Sequence, residues 1–135
     1  DNGEYYMYFG GIWGGQLQRW RDGVFNPSDP TSPTAFLPND DEHALLPFVA
    51  KMSDDLLEFA EKPREVQILD ETGKLLLAGD NERRFFEAAW VHKYNGSYYF
   101  SYSTGDTHFI CYAIGDNPYG PFTYKGKILN PCKKR

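Results

Sequence analysis

Glu87 is the residue whose setting in the sequence points most directly to chemistry. It lies in residues 85–90, FFEAAW, just before the aromatic and polar run VHKYNGSYYFSYS at 91–103. A carboxyl group among large apolar side chains can hold its proton near neutral pH and then act as a general acid. The alternative is an ordinary, partly buried acid paired with Arg83, Arg84 or Lys93, since structural ion pairs also perturb carboxyl groups. Glu87 is therefore a candidate general acid that still needs partners.

Trp13 and His108 are the other candidate site residues, both for substrate binding. Trp13 lies in the glycine-rich stretch GGIWGG at residues 10–15. Its ring could stack on the apolar face of a sugar or merely cover the core, and the sequence leaves both readings open. A lone histidine is more often structural than a metal ligand, so His108 is retained only as a cleft residue and no metal site is predicted.

The overall composition narrows the class of partner. The chain has 135 residues, the size of one domain, and a net charge of -5. Acidic residues crowd positions 40–61, and such a surface repels phosphate backbones, which argues against nucleic acid as a partner. Aromatic residues make up 17% of the chain, which suits β-strands and also suits a carbohydrate cleft.

An internal repeat predicts the architecture. The pattern Asn-Gly-x-Tyr-Tyr occurs at residues 2–6 and again at 95–99, an offset of 93 positions. An Ala and a Phe nine residues apart occur at 50–59 and again at 113–122. Repeated hairpins on this scale are typical of a propeller or another radial array of small antiparallel sheets.

The strand pattern divides the chain into two units. Strands are predicted at residues 4–9, 46–52, 87–94, 97–103, 108–113 and 122–129, with a hairpin at 66–78 around the turn 71–73. Five of the nine prolines fall in residues 20–47, which predicts a long irregular loop there. We therefore expect an incomplete first blade at 1–80 and a complete second blade at 81–135.

Three motifs together resemble glycoside hydrolase family 43. They are FEAAW at 86–90, the Asn-Gly-x-Tyr-Tyr hairpins, and AIGDNPYGPF at 113–122. The resemblance covers nearly the whole chain and is nearest to members described as β-xylosidases and α-L-arabinofuranosidases. It implies an all-β fold, here a partial five-bladed β-propeller of about two blades, each an antiparallel four-stranded unit.

The resemblance also implies an activity and a role for Glu87. In that family an Asp is the general base, a second Asp orients the acid, and a Glu is the general acid of an inverting hydrolysis. Glu87 matches the acid, and the repeat offset places the orienting Asp before Asp1. We therefore expect a central fragment that carries only the general acid and is inactive in isolation. The alternative is an inactive carbohydrate-binding or structural propeller fragment.

The remaining expectations concern cofactors, partners and location. No cofactor is expected in these residues, although the resemblance allows a structural cation such as calcium in the full-length fold. The expected partner is a pentose-containing oligosaccharide or polysaccharide. No association with a membrane is expected, and the chain is expected to self-associate through exposed blade faces.

The compartment cannot be read from the residues, and the resemblance favours a secreted or periplasmic protein. Cys111 lies in an apolar run and is expected as a buried thiol, while a bridge to Cys132 is left open.

Overall fold

The computed structural model describes residues 2–12, 16–21, 23–27 and 35–130, and nearly all the regular structure in them is β-strand. The elements are, in chain order, β1 (Tyr6–Phe9), α1 (Gln16–Arg19), β2 (Phe48–Lys51), β3 (Arg64–Glu65), β4 (Ile68–Leu69), β5 (Glu87–Tyr94), β6 (Ser97–Ser103), a 3-10 turn (Gly105–Thr107), β7 (Ile110–Gly115) and β8 (Phe122–Leu129). The part of the chain described here has no helix long and apolar enough to span a bilayer.

The main sheet has five strands in the order β4-β8-β7-β6-β5, antiparallel except for the β4–β8 pair. Along β6, Tyr98, Phe100 and Tyr102 are buried and alternate with half-buried residues, so the pleat turns one face into the core. Asn95 and Gly96 join β5 to β6 with φ angles of 48° and 85°. Positive φ at both residues is the geometry of a type I′ hairpin turn, which confirms the predicted hairpin.

The smaller sheet has three antiparallel strands in the order β1-β2-β3. Asn2 and Gly3 precede β1 with φ angles of 51° and 79°, close to those of the Asn95–Gly96 turn. Among the described residues, β1 pairs with β2 on one side and with no strand on the other.

The register of the two sheets confirms the internal repeat. Met7 lies opposite Ala50 in the smaller sheet, and Phe100 lies opposite Ala113 in the main sheet. The offset of 93 positions carries Met7 onto Phe100, and the offset between the Ala-Phe copies carries Ala50 onto Ala113. Both alanines are fully buried. The blade boundaries at 1–80 and 81–135 stay a prediction.

Aromatic rings form the centre of the core. Phe100 is fully buried, and its ring centroid lies 5.2 Å from that of Phe122, 5.6 Å from that of Tyr102 and 6.1 Å from that of Phe85. Burying each such side chain contributes about 1.5–3 kcal/mol to folding, and tilted ring pairs add to it. The aromatic residues of the predicted strands therefore contribute to the hydrophobic core.

Two predicted elements differ from those observed. β7 begins at Ile110 rather than at His108, because a 3-10 turn precedes it and His108 takes a left-handed φ of 56°. The predicted hairpin at 66–78 is short. Leu69 and Leu75 form an isolated bridge, flanked by hydrogen bonds from Asp70 N–H to the Lys74 carbonyl at 2.7 Å and from Leu76 N–H to the Ile68 carbonyl at 3.3 Å, and β4 also pairs with β8. The turn itself is present, since Asp70 Oδ1 accepts hydrogen bonds from backbone N–H groups beyond it.

The predicted loop at 20–47 is irregular wherever the structure describes it. Residues 35–47 contain no helix or strand, apart from an antiparallel bridge between His43 and Leu77. Residues 22 and 28–34 of this loop lie outside the described residues. The short helix α1, just before the loop, was not predicted.

Candidate active site

Glu87 is the first residue of β5, and it is exposed. Phe85 and Phe86, which precede it, are both buried, with 1% and 6% of their surface accessible. The expectation of a carboxylate enclosed by apolar side chains is therefore wrong for the described residues. The two phenylalanines anchor the chain in the core, and Glu87 is exposed at the start of β5, an edge strand of the main sheet.

A β-bulge follows Glu87 at once. Glu87 lies opposite Ser103 and Trp90 lies opposite Ser101, so β5 has one extra residue between these two pairs. Ala88, within the bulge, has a left-handed φ of 60°, which costs a residue with a Cβ about 1–2 kcal/mol. Bulges are enriched next to active sites, where they redirect a side chain. Because of the bulge, the side chain of Glu87 need not follow the alternation of side chains along the rest of β5.

Phe86 is held by three contacts that also place Glu87. Its backbone N–H donates to the carbonyl of Ser103 at 3.0 Å, and its own carbonyl accepts from the N–H of Ile12 at 3.1 Å. Its ring packs directly against Gly105, where any Cβ would overlap the ring. Because both backbone groups and the ring are engaged, the residue next to Glu87 has little freedom to shift.

The guanidinium of Arg84 provides a positive charge beside Phe86. It lies 5.5 Å from the ring centroid of Phe86. Nε donates to the carbonyl of Ala78 at 2.9 Å, and a terminal nitrogen donates to Oδ1 of Asn81 at 2.6 Å. Burial lowers the pKa of Arg84, yet a guanidinium stays charged at neutral pH. The sequence suggested Arg84 only as a possible ion-pair partner of Glu87, whereas the contacts observed here are with Ala78, Asn81 and Phe86.

A cavity of about 140 Å³ lies beside Arg84. It is lined by Ile12, Leu37, Pro38, Asp40, Leu45, Ala78, Asn81 and Arg84. Binding sites for drug-sized ligands usually measure about 300–1,000 Å³, so this cavity is small for a sugar unit. It borders the segment that carries Glu87 but does not include Glu87 itself.

His108 lies at the same end of the sheet as Glu87. It follows the Gly105–Thr107 turn, and its N–H donates to the carbonyl of Gly105 at 2.8 Å. That turn begins just after Ser103, the residue paired with Glu87. His108 is exposed there, so its imidazole is accessible at this end of the sheet.

Trp13 lies outside the described residues, and so does Cys132. Ile12, the neighbour of Trp13, is described, and its N–H reaches the carbonyl of Phe86. Cys111 is a free, buried thiol, as predicted, and burial raises its pKa.

The described residues contain no group of three or more His, Cys, Asp and Glu side chains arranged to hold a metal ion. A structural calcium in the full-length family fold stays a prediction.

Comparison with known proteins gives close relatives over nearly the whole chain, although no protein-family model matches it. The chain is 63% identical over 130 residues to a xylosidase/arabinosidase of Bacteroides ovatus, a match that covers 96% of this chain and 38% of the relative. It is 60% identical over 131 residues to a β-xylosidase of Xylanibacter ruminicola, covering 97% of this chain and 39% of that protein.

Comparison with solved structures gives the same kind of enzyme as the comparison of sequences. A family 43 β-xylosidase/α-arabinofuranosidase from a compost microbial metagenome, in complex with xylotriose, superposes with a TM-score of 0.90 at 64% identity. The match covers 97% of this chain and 39% of that structure. These neighbours are five-bladed β-propeller enzymes, so the two sheets are part of that fold. The chain spans less than half the length of each of these relatives.

Proposed function

Because this chain belongs to glycoside hydrolase family 43, we propose that Glu87 is the general acid for hydrolysis of xylosyl or arabinofuranosyl linkages in plant-type polysaccharides. The observation that carries the proposal is the exposed carboxylate at the bulged start of β5, beside the firmly held Phe86. A general acid must be accessible to the leaving oxygen and must be held in a fixed position.

The proposed reaction is an inverting hydrolysis. Glu87 donates its proton to the glycosidic oxygen as the bond to the anomeric carbon breaks, while a second carboxylate removes a proton from the attacking water. The two carboxyl groups must stand about 6.5–9.5 Å apart to leave room for that water. We place the second carboxylate in a part of the family fold that these 135 residues do not include. Trp13 and His108 are proposed to contact the substrate.

These 135 residues alone should therefore have no appreciable glycosidase activity. The test is an assay against an aryl β-xyloside and an aryl α-arabinofuranoside at high protein concentration. Turnover that disappears in Glu87→Gln but persists in Glu58→Gln, an exposed acid elsewhere, would show that the chain is active by itself.

The role of Glu87 is tested by placing residues 1–135 in the matching segment of the Bacteroides ovatus relative. In that chimera, Glu87→Gln should lower kcat about 10²–10⁴-fold on xylobiose, whose leaving group needs a proton. The loss should be much smaller on a dinitrophenyl xyloside, whose leaving group departs without protonation. Equal losses on both substrates, or none, would exclude Glu87 as the general acid.

The short coverage of its relatives supports a second candidate, a carbohydrate-binding or structural module without catalysis. Calorimetric titration with arabinoxylan oligosaccharides separates the two candidates. Binding that Trp13→Ala weakens, together with a chimera whose kcat is unchanged by Glu87→Gln, would favour the module.

A further inference from the structure

Thr104 and Thr107 form a pair of bonded hydroxyl groups in the loop between β6 and β7. Thr104 is fully buried, and the two Oγ1 atoms lie 2.6 Å apart. The hydroxyl of Thr107 donates to the carbonyl of Asn81 at 2.7 Å, so Thr104 is the donor in the bond between the hydroxyls. Thr104 Oγ1 in turn accepts from the N–H of Phe109 at 3.1 Å. These bonds form one continuous chain in which each bond polarises the next.

The two hydroxyls close this loop and also fasten it to a second segment. The N–H of Thr104 donates to the carbonyl of Phe109 at 3.1 Å, so backbone and side chain of Thr104 together close residues 104–109. Asn81, which accepts from Thr107, belongs to the turn that precedes β5. The Thr107 hydroxyl therefore joins the loop after β6 to the turn that leads into Glu87.

Phe86, the residue before the proposed acid, is contacted by both of the segments that this hydroxyl joins. From the loop, Gly105 packs against the Phe86 ring. From the turn, the guanidinium of Arg84 lies 5.5 Å from the centroid of that ring and donates to Oδ1 of Asn81 at 2.6 Å. The hydrogen bond to the Asn81 carbonyl therefore links the two segments that border Phe86.

Ser103 connects the same loop to the backbone at Glu87. Its hydroxyl accepts from the N–H of Gly105 at 3.2 Å, and its carbonyl accepts from the N–H of Phe86 at 3.0 Å. Ser103 also lies opposite Glu87 in the pairing of β5 with β6. A shift of the loop would therefore move backbone atoms that pair with Phe86 and Glu87.

We propose that Thr107 is a positioning residue, whose hydroxyl fixes the loop against the turn and so holds Glu87 where it protonates the leaving oxygen. The inference rests on the proposed function, since it takes Glu87 as the general acid. A misplacement of about 1 Å at a reacting group lowers a rate by up to about 10²-fold. Loss of this hydroxyl should therefore slow the proton transfer more than the other steps of the reaction.

The test is made in the chimera with the Bacteroides ovatus relative, using Thr107→Val, which replaces the hydroxyl with a methyl group. We expect kcat on xylobiose, whose leaving group needs a proton, to fall about tenfold, and kcat on a dinitrophenyl xyloside to fall less than about twofold. Thr107→Ser keeps the hydroxyl and should retain most of the rate on xylobiose. The matched control is Thr72→Val, because the Thr72 hydroxyl also donates a hydrogen bond of 2.7 Å, to Asp70, in a turn outside this loop.

Four results would overturn the positioning role. They are equal losses on the two substrates, no loss on either, the same loss in Thr72→Val, and a loss in Thr107→Ser as large as that in Thr107→Val. The thermal transition of each variant checks that it folds. If Glu87→Gln gives the unequal loss and Thr107→Val does not, only the positioning role fails. If Glu87→Gln gives no unequal loss, the proposed function fails as well.

Amide hydrogen exchange in the 135-residue chain is a second measurement, which needs no activity. The N–H of Phe86, bonded to the Ser103 carbonyl, should exchange about tenfold faster in Thr107→Val, because the loop that supports this bond is loosened. The same N–H should exchange at the wild-type rate in Thr107→Ser and in Thr72→Val. An unchanged rate in Thr107→Val would overturn the inference even if the chimera were inactive.

Discussion

Gly105 and Phe86 are the pair of residues on which the position of Glu87 most depends. Gly105 has a φ of 80°, in the region that favours glycine, and the ring of Phe86 occupies the space that a Cβ would need. Since Phe86 precedes Glu87 directly, any displacement of its ring displaces the backbone of the proposed acid.

We predict that Gly105→Ala lowers the free energy of unfolding by about 2–4 kcal/mol, since left-handed strain adds to overpacking against Phe86. Gly96→Ala is the control, because Gly96 has a φ of 85° but open space around it, and it should cost only about 1–2 kcal/mol. Urea unfolding measures both. Equal losses would mean that the contact with Phe86 is unimportant.

Tyr124 provides a prediction about alkaline pH. Burial, together with its neighbour Cys111, raises the pKa of Tyr124 to about 12, above the ordinary value near 10. Burial likewise raises the pKa of Tyr8 and Tyr102. The folded state thus favours the neutral phenols, and this stabilisation is complete below about pH 10 and is lost as the pH rises through the raised values.

Tyr124→Phe should therefore lose less stability than the wild type between pH 10 and 12. The measurement is the urea midpoint at several pH values, with Tyr5→Phe, which alters a 53% exposed ring, as the control. A fall in the midpoint that is identical in all three proteins would contradict the assignment.

At the scale of elements, the bulge between β5 and β6 sets the direction of the proposed acid. The regular pairs from Trp90 to Tyr94 fit the predicted strand, whereas Glu87 lies across the bulge from them. A regular strand would place Glu87 and Val91 on the same face, because side chains alternate with a period of two. The extra residue removes that constraint.

We expect Ala88→Gly to change the free energy of unfolding by less than about 1 kcal/mol, since relief at φ 60° offsets the greater entropy of the unfolded glycine. Ala113→Gly, inside β7 at a fully buried position, should cost about 1–2 kcal/mol. Chemical denaturation of both variants compares the two sites. A large loss in Ala88→Gly would show that the left-handed residue carries no strain.

At the scale of the whole molecule, β1 presents an open edge. In the described residues it pairs only with β2, and Met7 and Tyr5 on or beside it are 46% and 53% exposed. A groove of about 280 Å³ lies between β1 and β5 and is lined partly by tyrosines. Unpaired strand edges with exposed apolar residues favour pairing with another chain.

We predict that the 135-residue chain self-associates and that Met7→Lys, which places a charge on the open edge, reduces this association. Leu57→Lys is the control, because Leu57 is 85% exposed in a turn away from that edge. Sedimentation velocity over a range of concentrations measures the effect. A monomeric wild type at every concentration would count against the prediction.

Local sequence patterns were sufficient to predict the strands and the internal repeat. The φ angles of Asn95–Gly96 and the alternate burial of β6 follow from residue types within a few positions of one another. Ala50 and Ala113 occupy equivalent registers, opposite Met7 and Phe100, because the repeated sequence forms the same antiparallel pairing in each copy. β7 began later than predicted, since the left-handed His108 has no signature in the residue pattern.

The sequence by itself therefore determined the β class, the hairpins, the repeat and the identity of the candidate acid, because each depends on short-range periodicity or on a local motif. Only the tertiary structure decided that Glu87 is exposed at a bulge and that Arg84 and Gly105 contact Phe86, the residue before it. These features depend on contacts between residues far apart in the chain. Such contacts arise from packing rather than from local propensity.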